Sequence, residues 1–195
     1  MKKKIIILLS ACFMLATLKA QEASMPDKAT YLGFGSGLNN SCGLIGLNLE
    51  QFVAGRISVF GAAGIGSWGF KTAIGGRYYL DSKTGKAIGV SFSNASGLTD
   101  FEPGNVKILE NGQEVDSKGK FNLLPVQQIN ITWIRMWQAG KTNRIGIELG
   151  YSINLSGKDK VTGPDVPKLT DESKEAFNIV QPGGLIIGLT FNFGL

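Results

Sequence analysis

Histidine is absent from the 195 residues and the cysteines number two, Cys12 and Cys42, so acid–base or ionic chemistry falls to carboxylates, lysines and arginines. Cys42 has no imidazole to deprotonate it and reads as a neutral loop residue rather than a nucleophile. The same shortage removes the ordinary ligands of a transition metal, and the acids follow no calcium-loop spacing. Two glycine-rich runs, Gly33-Phe34-Gly35-Ser36-Gly37 and Gly61 to Gly66, invite comparison with phosphate-cradling loops. Neither leads into Gly-Lys-Ser/Thr or a helical pattern, and glycine at every second position puts all three of the first run on one strand face. With no serine, acid and base cluster, the chain is expected not to be an enzyme and to hold no cofactor or metal. A carboxylate or lysine mechanism does not need histidine and stays open. What remains is a set of five charges, Glu50, Lys71, Arg77, Arg135 and Glu148, embedded in alternating apolar sequence.

The elements that must position those charges are strands. No stretch after the first twenty residues keeps a helical period, whereas alternation with period two recurs to the end. Ile145, Ile147, Leu149, Tyr151, Ile153 and Leu155 share one face, and Leu185, Ile187, Leu189, Phe191, Phe193 and Leu195 repeat the pattern at the C-terminus. Eight segments emerge, over 30–39, 44–53, 57–67, 70–80, 87–98, 126–138, 145–156 and 184–195. The connections after the second, fourth and sixth are short and polar, while 99–125 and 157–183, after odd-numbered segments, are long. An up-and-down meander puts odd and even connections at opposite ends, and transmembrane barrels pair short periplasmic turns with longer external loops. The connections at 40–43 and 68–69 are short exceptions at the outer end.

Alternation alone leaves open which face points out, since a lipocalin-like soluble barrel reverses the arrangement. Here the polar faces carry mainly Gly, Ser, Asn and Thr, and most charges lie in turns and loops. That suits a narrow interior of small side chains and an apolar face toward lipid. Tyr78, Trp137 and Phe193 fall near the ends of strands that finish on one side, as an interfacial girdle would. The expected fold class is therefore all-β, an eight-stranded antiparallel up-and-down transmembrane β-barrel over residues 21–195.

The net charge of +5 points toward a polyanion until its origin is located. Residues 1–20 hold Lys2, Lys3, Lys4 and Lys19 and no acid, so without them 20 basic residues fall to 16 against 15 acids. The basic excess thus belongs to a leader, and no nucleic-acid partner is expected. Lysines, an apolar run from Ile5 to Leu18 and the small Ala20 read as a secretory signal cleaved after residue 20. Leu9-Ser10-Ala11-Cys12 offers a rival, a lipobox with Cys12 lipidated, although Phe13 to Leu18 continues the apolar run past it. Cleavage after Ala20 leaves Cys42 as the only cysteine, so no intrachain disulfide is expected.

The closing segment Gly188-Leu189-Thr190-Phe191-Asn192-Phe193, together with the eight alternating segments, resembles the small eight-stranded outer-membrane β-barrel family of the OmpA/OmpX type. In that family a C-terminal glycine followed by alternating aromatics is read by the barrel-assembly machinery, so the resemblance implies such a signal at Gly188, Phe191 and Phe193. The chain departs from it at Leu195, where an aromatic is commoner, and at Ile186, where a polar residue is frequent. The resemblance implies location in the outer membrane of a Gram-negative-type bacterium, with outer-membrane lipid and the assembly machinery as partners. Enzymes of such barrels generally rely on a histidine, which this chain lacks.

The five embedded charges are expected to form a lumenal network. Glu50 lies three residues before Val53, Arg77 three before Leu80, Arg135 three before Gln138 and Glu148 three after Ile145, which places these four at one depth. Opposite charges at matched height offset the cost of burial. Pairing Gln138 with Ile145 would set Arg135 across from Glu148, although alternation from Ile129, Ile131 and Trp133 puts Arg135 on the lipid side. A β-bulge between Ile131 and Arg135 would reconcile the two, and snorkelling of Arg135 to the interface is the alternative. Lys71 would be a separate lumenal charge nearer the outer end. The network is expected to stabilise and occlude, leaving function to structure or to an extracellular ligand at 99–125 and 157–183. Two alternatives stand beside it: a barrel that binds or passes a small apolar ligand, with Phe60, Trp68 and Ile186 inward, and a soluble secreted β-sandwich.

Overall fold

The computed structural model describes residues 30–81, 85–104, 106–116, 119–157 and 160–195. The leader over 1–20, its cleavage site and Cys12 lie outside the described residues. Five strands come first: β1 (Thr30–Leu38), β2 (Ile45–Ala54), β3 (Ile57–Gly66), β4 (Gly69–Asp81) and β5 (Lys86–Ala95). Four short ones follow, β6 (Leu98–Phe101), β7 (Lys107–Glu110), β8 (Gln113–Asp116) and β9 (Phe121–Leu123). Then come β10 (Val126–Ala139), β11 (Asn143–Asn154), β12 (Val161–Thr162), helix α1 (Asp171–Val180) and β13 (Gly184–Gly194). Eight of the strands close an antiparallel up-and-down barrel in the order β1-β13-β11-β10-β5-β4-β3-β2. They are the eight alternating segments to within two or three residues at each end. Closure removes the soluble β-sandwich alternative.

The register fixes the barrel's dimensions. From Tyr31 the paired residues run through Glu50, Phe60, Gly75, Ser91, Asn130, Ser152 and Gly184, and the β1–β13 register brings Gly184 level with position 41, ten residues along. Eight strands with that stagger tilt by about 40° and enclose a radius of about 8 Å, just wide enough for side chains. At that tilt ten residues span about 25 Å of height.

Alternation then distributes the side chains. Leu49, Ile74, Val90, Ile131, Leu149 and Leu189 are exposed on the outer wall, each on a different strand, while Asn48, Glu50, Lys71, Arg77, Asn130, Glu148 and Asn192 are buried inside. Trp137 and Phe193 are exposed near the short-turn end, and Tyr78 is half-buried there. Phe60 and Ile186 point into the lumen as their parity requires, whereas Trp68, in the β3–β4 turn, is buried above the mouth.

The two long connections are not plain loops. β9 pairs with β6 and β12 in a three-stranded sheet, β7 and β8 form a hairpin, and α1 packs on them. Trp68, Val106, Ile108, Phe121, Leu123, Leu169 and Phe177 are buried together as a core above the barrel mouth. Phe121 and Phe177 meet with centroids 5.5 Å apart and ring planes tilted by 52°. α1 starts where Thr170, the N-cap, accepts a hydrogen bond from the Ser173 backbone N–H, with Asp171 and Glu172 favourably placed in the first turn. The expectation of no helix after the leader is thus corrected: α1 has ten residues and buries only Ser173 and Phe177, too narrow a stripe for periodicity to reveal.

Candidate functional site

The lumen is filled in layers. At the short-turn end Tyr31, Phe52, Tyr79, Ala87, Ile134 and Met136 form an apolar floor. The Arg144 guanidinium lies 4.0 Å from the Tyr31 ring centroid and 5.5 Å from that of Phe52, a cation over two π faces. Above the floor, β2 and β4 flank β3, and the registers set Glu50 across from Phe60 and Ser58 across from Arg77, all facing inward. Arg77 Nη1 donates to Glu50 Oε2 at 2.8 Å, Tyr79 Oη donates to Oε1 at 2.9 Å, and the Ser58 hydroxyl donates to Oε1 as well. Arg77 also lies 4.2 Å over the Phe60 ring. Charge-assisted bonds on both carboxylate oxygens offset the desolvation of a fully buried pair, which an unassisted ion pair would not do.

The connection between β1 and β2, expected as an outer-end turn, folds down into the lumen. Asn40, Ser41 and Cys42 are buried there, so Cys42 is a loop residue as read, held inside rather than in water. Asn39 (φ 54°) and Gly43 (φ 75°) make the tight reversal, closed by a Gly43 N–H bond to the Asn40 carbonyl at 3.2 Å. Lys71 Nζ donates to the Asn39 carbonyl at 2.8 Å, Ser41 Oγ to Glu148 Oε2 at 3.4 Å, and Asn48 Nδ2 to Cys42 Sγ at 3.6 Å.

Strand glycines make the room. A Cβ at Gly64 would lie 2.1 Å from the Cys42 carbonyl oxygen, one at Gly46 2.4 Å from the same atom, and one at Gly188 2.6 Å from Asn40 Nδ2. One at Gly35 would meet Cys42 Sγ at 3.0 Å. Above the turn, Trp68, Pro182 and Lys71 line a cavity of about 20 Å³, room for a single water.

The structure brings Glu50, Arg77, Glu148 and Lys71 into one interior and leaves Arg135 out of it. β10 pairs with β11 so that Gln138 faces Arg144 and Ile134, not Arg135, faces Glu148. The pairing with Ile145 was off by one, and a one-residue slip moves a side chain to the other face. β10 runs without a bulge against β5 and β11. Arg135 is half-buried on the outer wall, its guanidinium 5.6 Å from the Trp137 ring, the snorkelling alternative. Sequence reasoning missed Tyr79, Ser58 and Ser41 as partners of the buried acids; the inward parity shared by Glu50 and Ser58 was their only signal.

The residues of the C-terminal motif separate by face. Gly188 lies inward beneath Asn40, so packing alone requires a glycine there. Phe191 stacks on Phe34 with centroids 5.7 Å apart and meets Phe193 edge-on at 4.8 Å, an aromatic cluster on the outside of the β1–β13 seam. Compared with known proteins, the chain matches no family model, no curated protein and no solved structure.

Proposed function

We propose that the protein is an integral outer-membrane barrel of a Gram-negative-type bacterium, exported by a cleaved leader over residues 1–20, whose folded cap serves a structural or surface-interaction role. One observation carries the reading: all eight barrel strands turn exposed Leu, Ile, Val and Phe side chains outward around a buried ionic interior. In water that arrangement wastes the hydrophobic effect, whereas across an apolar layer about 25 Å thick it is the low-energy one. The floor, the Glu50–Arg77 layer and the in-folded turn stack across the lumen, and the buried charges are assigned to stability and occlusion. The mouth cavity has room for about one water and so lends the apolar-ligand alternative no support. The cap, formed from 98–123 and 161–180, is then the surface offered to other molecules outside the cell. Outer-membrane lipid surrounds the wall, and the assembly machinery reads the last strand.

The test is cell fractionation combined with gel mobility of heated and unheated protein and conductance of the refolded protein in planar bilayers. Membrane recovery, a heat-dependent mobility shift and no steady conductance are expected. A soluble protein without a shift overturns the membrane reading, and a steady open current overturns the occluded one.

A further inference from the structure

The cap meets the barrel rim unevenly. The β3–β4 hairpin is short, and its outward pair Ile65 and Phe70 sits one step below the Gly66–Gly69 closing pair. Both are exposed, so the apolar outer wall reaches the tip of this hairpin. The C-terminal end of α1 is bonded to that tip, with Ser67 Oγ donating to the Val180 carbonyl at 2.8 Å.

The helix is polarised along its axis. Asp171 and Glu172 stand in its first turn and no basic residue stands in its last, where Ile179 is 76% exposed and Val180 45% exposed. Two residues on from Phe177, Ile179 is turned by about 200° and so faces away from the cap core that Phe177 enters. Through the Ser67–Val180 bond this apolar turn is held at the hairpin tip, one step beyond the exposed Ile65–Phe70 pair.

We propose that the last turn of α1, Ile179 with Val180, is an anchor inserted among the acyl chains of outer-leaflet lipid, fixing the cap to the bilayer on the β3–β4 side. This rests on the transmembrane reading of the barrel, whose apolar wall it extends. The wall supports lipid as the occupant over a soluble protein: an uncharged apolar turn tied to the upper edge of an apolar wall meets the same medium as the Ile65 and Phe70 side chains beside it. The acidic N-terminal half of α1 stays in water.

The experiment places one nitroxide at a time on the full chain in a Cys12→Ser, Cys42→Ala background, refolded into phosphatidylcholine vesicles and accepted only if the heat-dependent mobility shift is kept. Labels go at Ile179→Cys, at Leu149→Cys on the wall and at Glu114→Cys on the cap hairpin. Collision rates with oxygen, which concentrates in lipid, and with a water-soluble nickel chelate are compared. Oxygen-rich, nickel-poor collision at 179, close to that at 149 and opposite to that at 114, is expected. Nickel access at 179 with an oxygen-rich 149 overturns the anchor while leaving the barrel in the membrane, and nickel access at 149 overturns the membrane reading itself. Protection of 179 from both reagents with spin–spin broadening means that a second copy covers the turn, which also overturns the anchor.

Discussion

Replacing Gly64 by alanine should destabilise the protein, whereas the same change at Gly61, three residues earlier on β3, should not. Neither glycine has a left-handed backbone, so the difference is one of space alone. A Cβ at Gly64 points inward and would sit 2.1 Å from the Cys42 carbonyl oxygen and 2.4 Å from that of Ile45. Both are backbone atoms, which cannot swing aside as a side chain does, so the in-folded turn would have to lift away from β3. Overpacking of this kind costs about 1–3 kcal/mol. At Gly61 the Cβ points outward and its nearest neighbour is the Ala73 carbonyl oxygen at 4.0 Å. There the reduced freedom of the unfolded chain should add about 0.4–1 kcal/mol of stability. The assay is urea unfolding of each variant refolded in the same vesicles, paired with maleimide labelling of the buried Cys42 thiol in the native state. Gly64→Ala should unfold at lower urea and label faster, and Gly61→Ala should do neither. Equal midpoints and equal labelling would refute the placement of residues 40–42 inside the lumen.

Removing the charge of Glu50 should be far costlier than removing that of Arg135. Glu50→Gln strands Arg77 in the lumen, with an expected loss of roughly 3–5 kcal/mol, whereas Arg135→Met should cost at most about 1 kcal/mol; similar urea shifts would refute the ionic layer. Leu149→Arg, at mid-wall, should cost about 2–4 kcal/mol and Leu80→Arg, one residue from the end of β4, about 0–1 kcal/mol, in refolding titrations; equal costs would deny the bilayer. Trp68→Ala should remove about 3–5 kcal/mol from the cap core and speed hydrogen exchange over 98–123 and 161–180 while the barrel strands keep their protection; unchanged cap exchange would show that the hairpin tip does not hold the cap.

The barrel was legible because two regular signals agree. Period-two alternation marks strands of about the length an apolar layer needs, and the scarcity of charge on the polar faces sets which face turns outward. Parity alone places Phe60 and Ile186 inside, together with Glu50, Lys71, Arg77 and Glu148. Arg135 shows how little margin there is, since its strand parity was sound and a hairpin register wrong by one residue drew it to the wrong face. The turn at 39–44 could not be read from its own residues, because a polar six-residue connection reads alike whether it projects outward or folds inward. Its trace lay elsewhere, in the glycines at 35, 46, 64 and 188 on four different strands, each marking space that something had to occupy. The cap escaped because strands of two to four residues and one ten-residue helix are held by their shared core rather than by sequence period.

The two interiors of this molecule have opposite polarity for one physical reason. On the proposed membrane reading, the outer wall gains little against lipid by turning its apolar side chains inward, so the lumen above its apolar floor is held by polar pairing, as between Arg77 and Glu50 or Lys71 and the Asn39 carbonyl. On the same reading the cap stands in water, and its strands and helix close over Phe121, Leu169 and Phe177 as those of any small soluble domain would. Trp68 joins the regimes: its ring is buried in the cap core, its Nε1 donates to the Leu124 carbonyl at 2.9 Å, and Lys71 lies with it around the mouth cavity. A binding partner at the cap can therefore alter that unit without disturbing the ionic layer below. On the proposed reading the barrel is a stand for the cap, and variation that changes recognition should collect in the exposed positions of β7, β8 and the first turns of α1 rather than in the lumen.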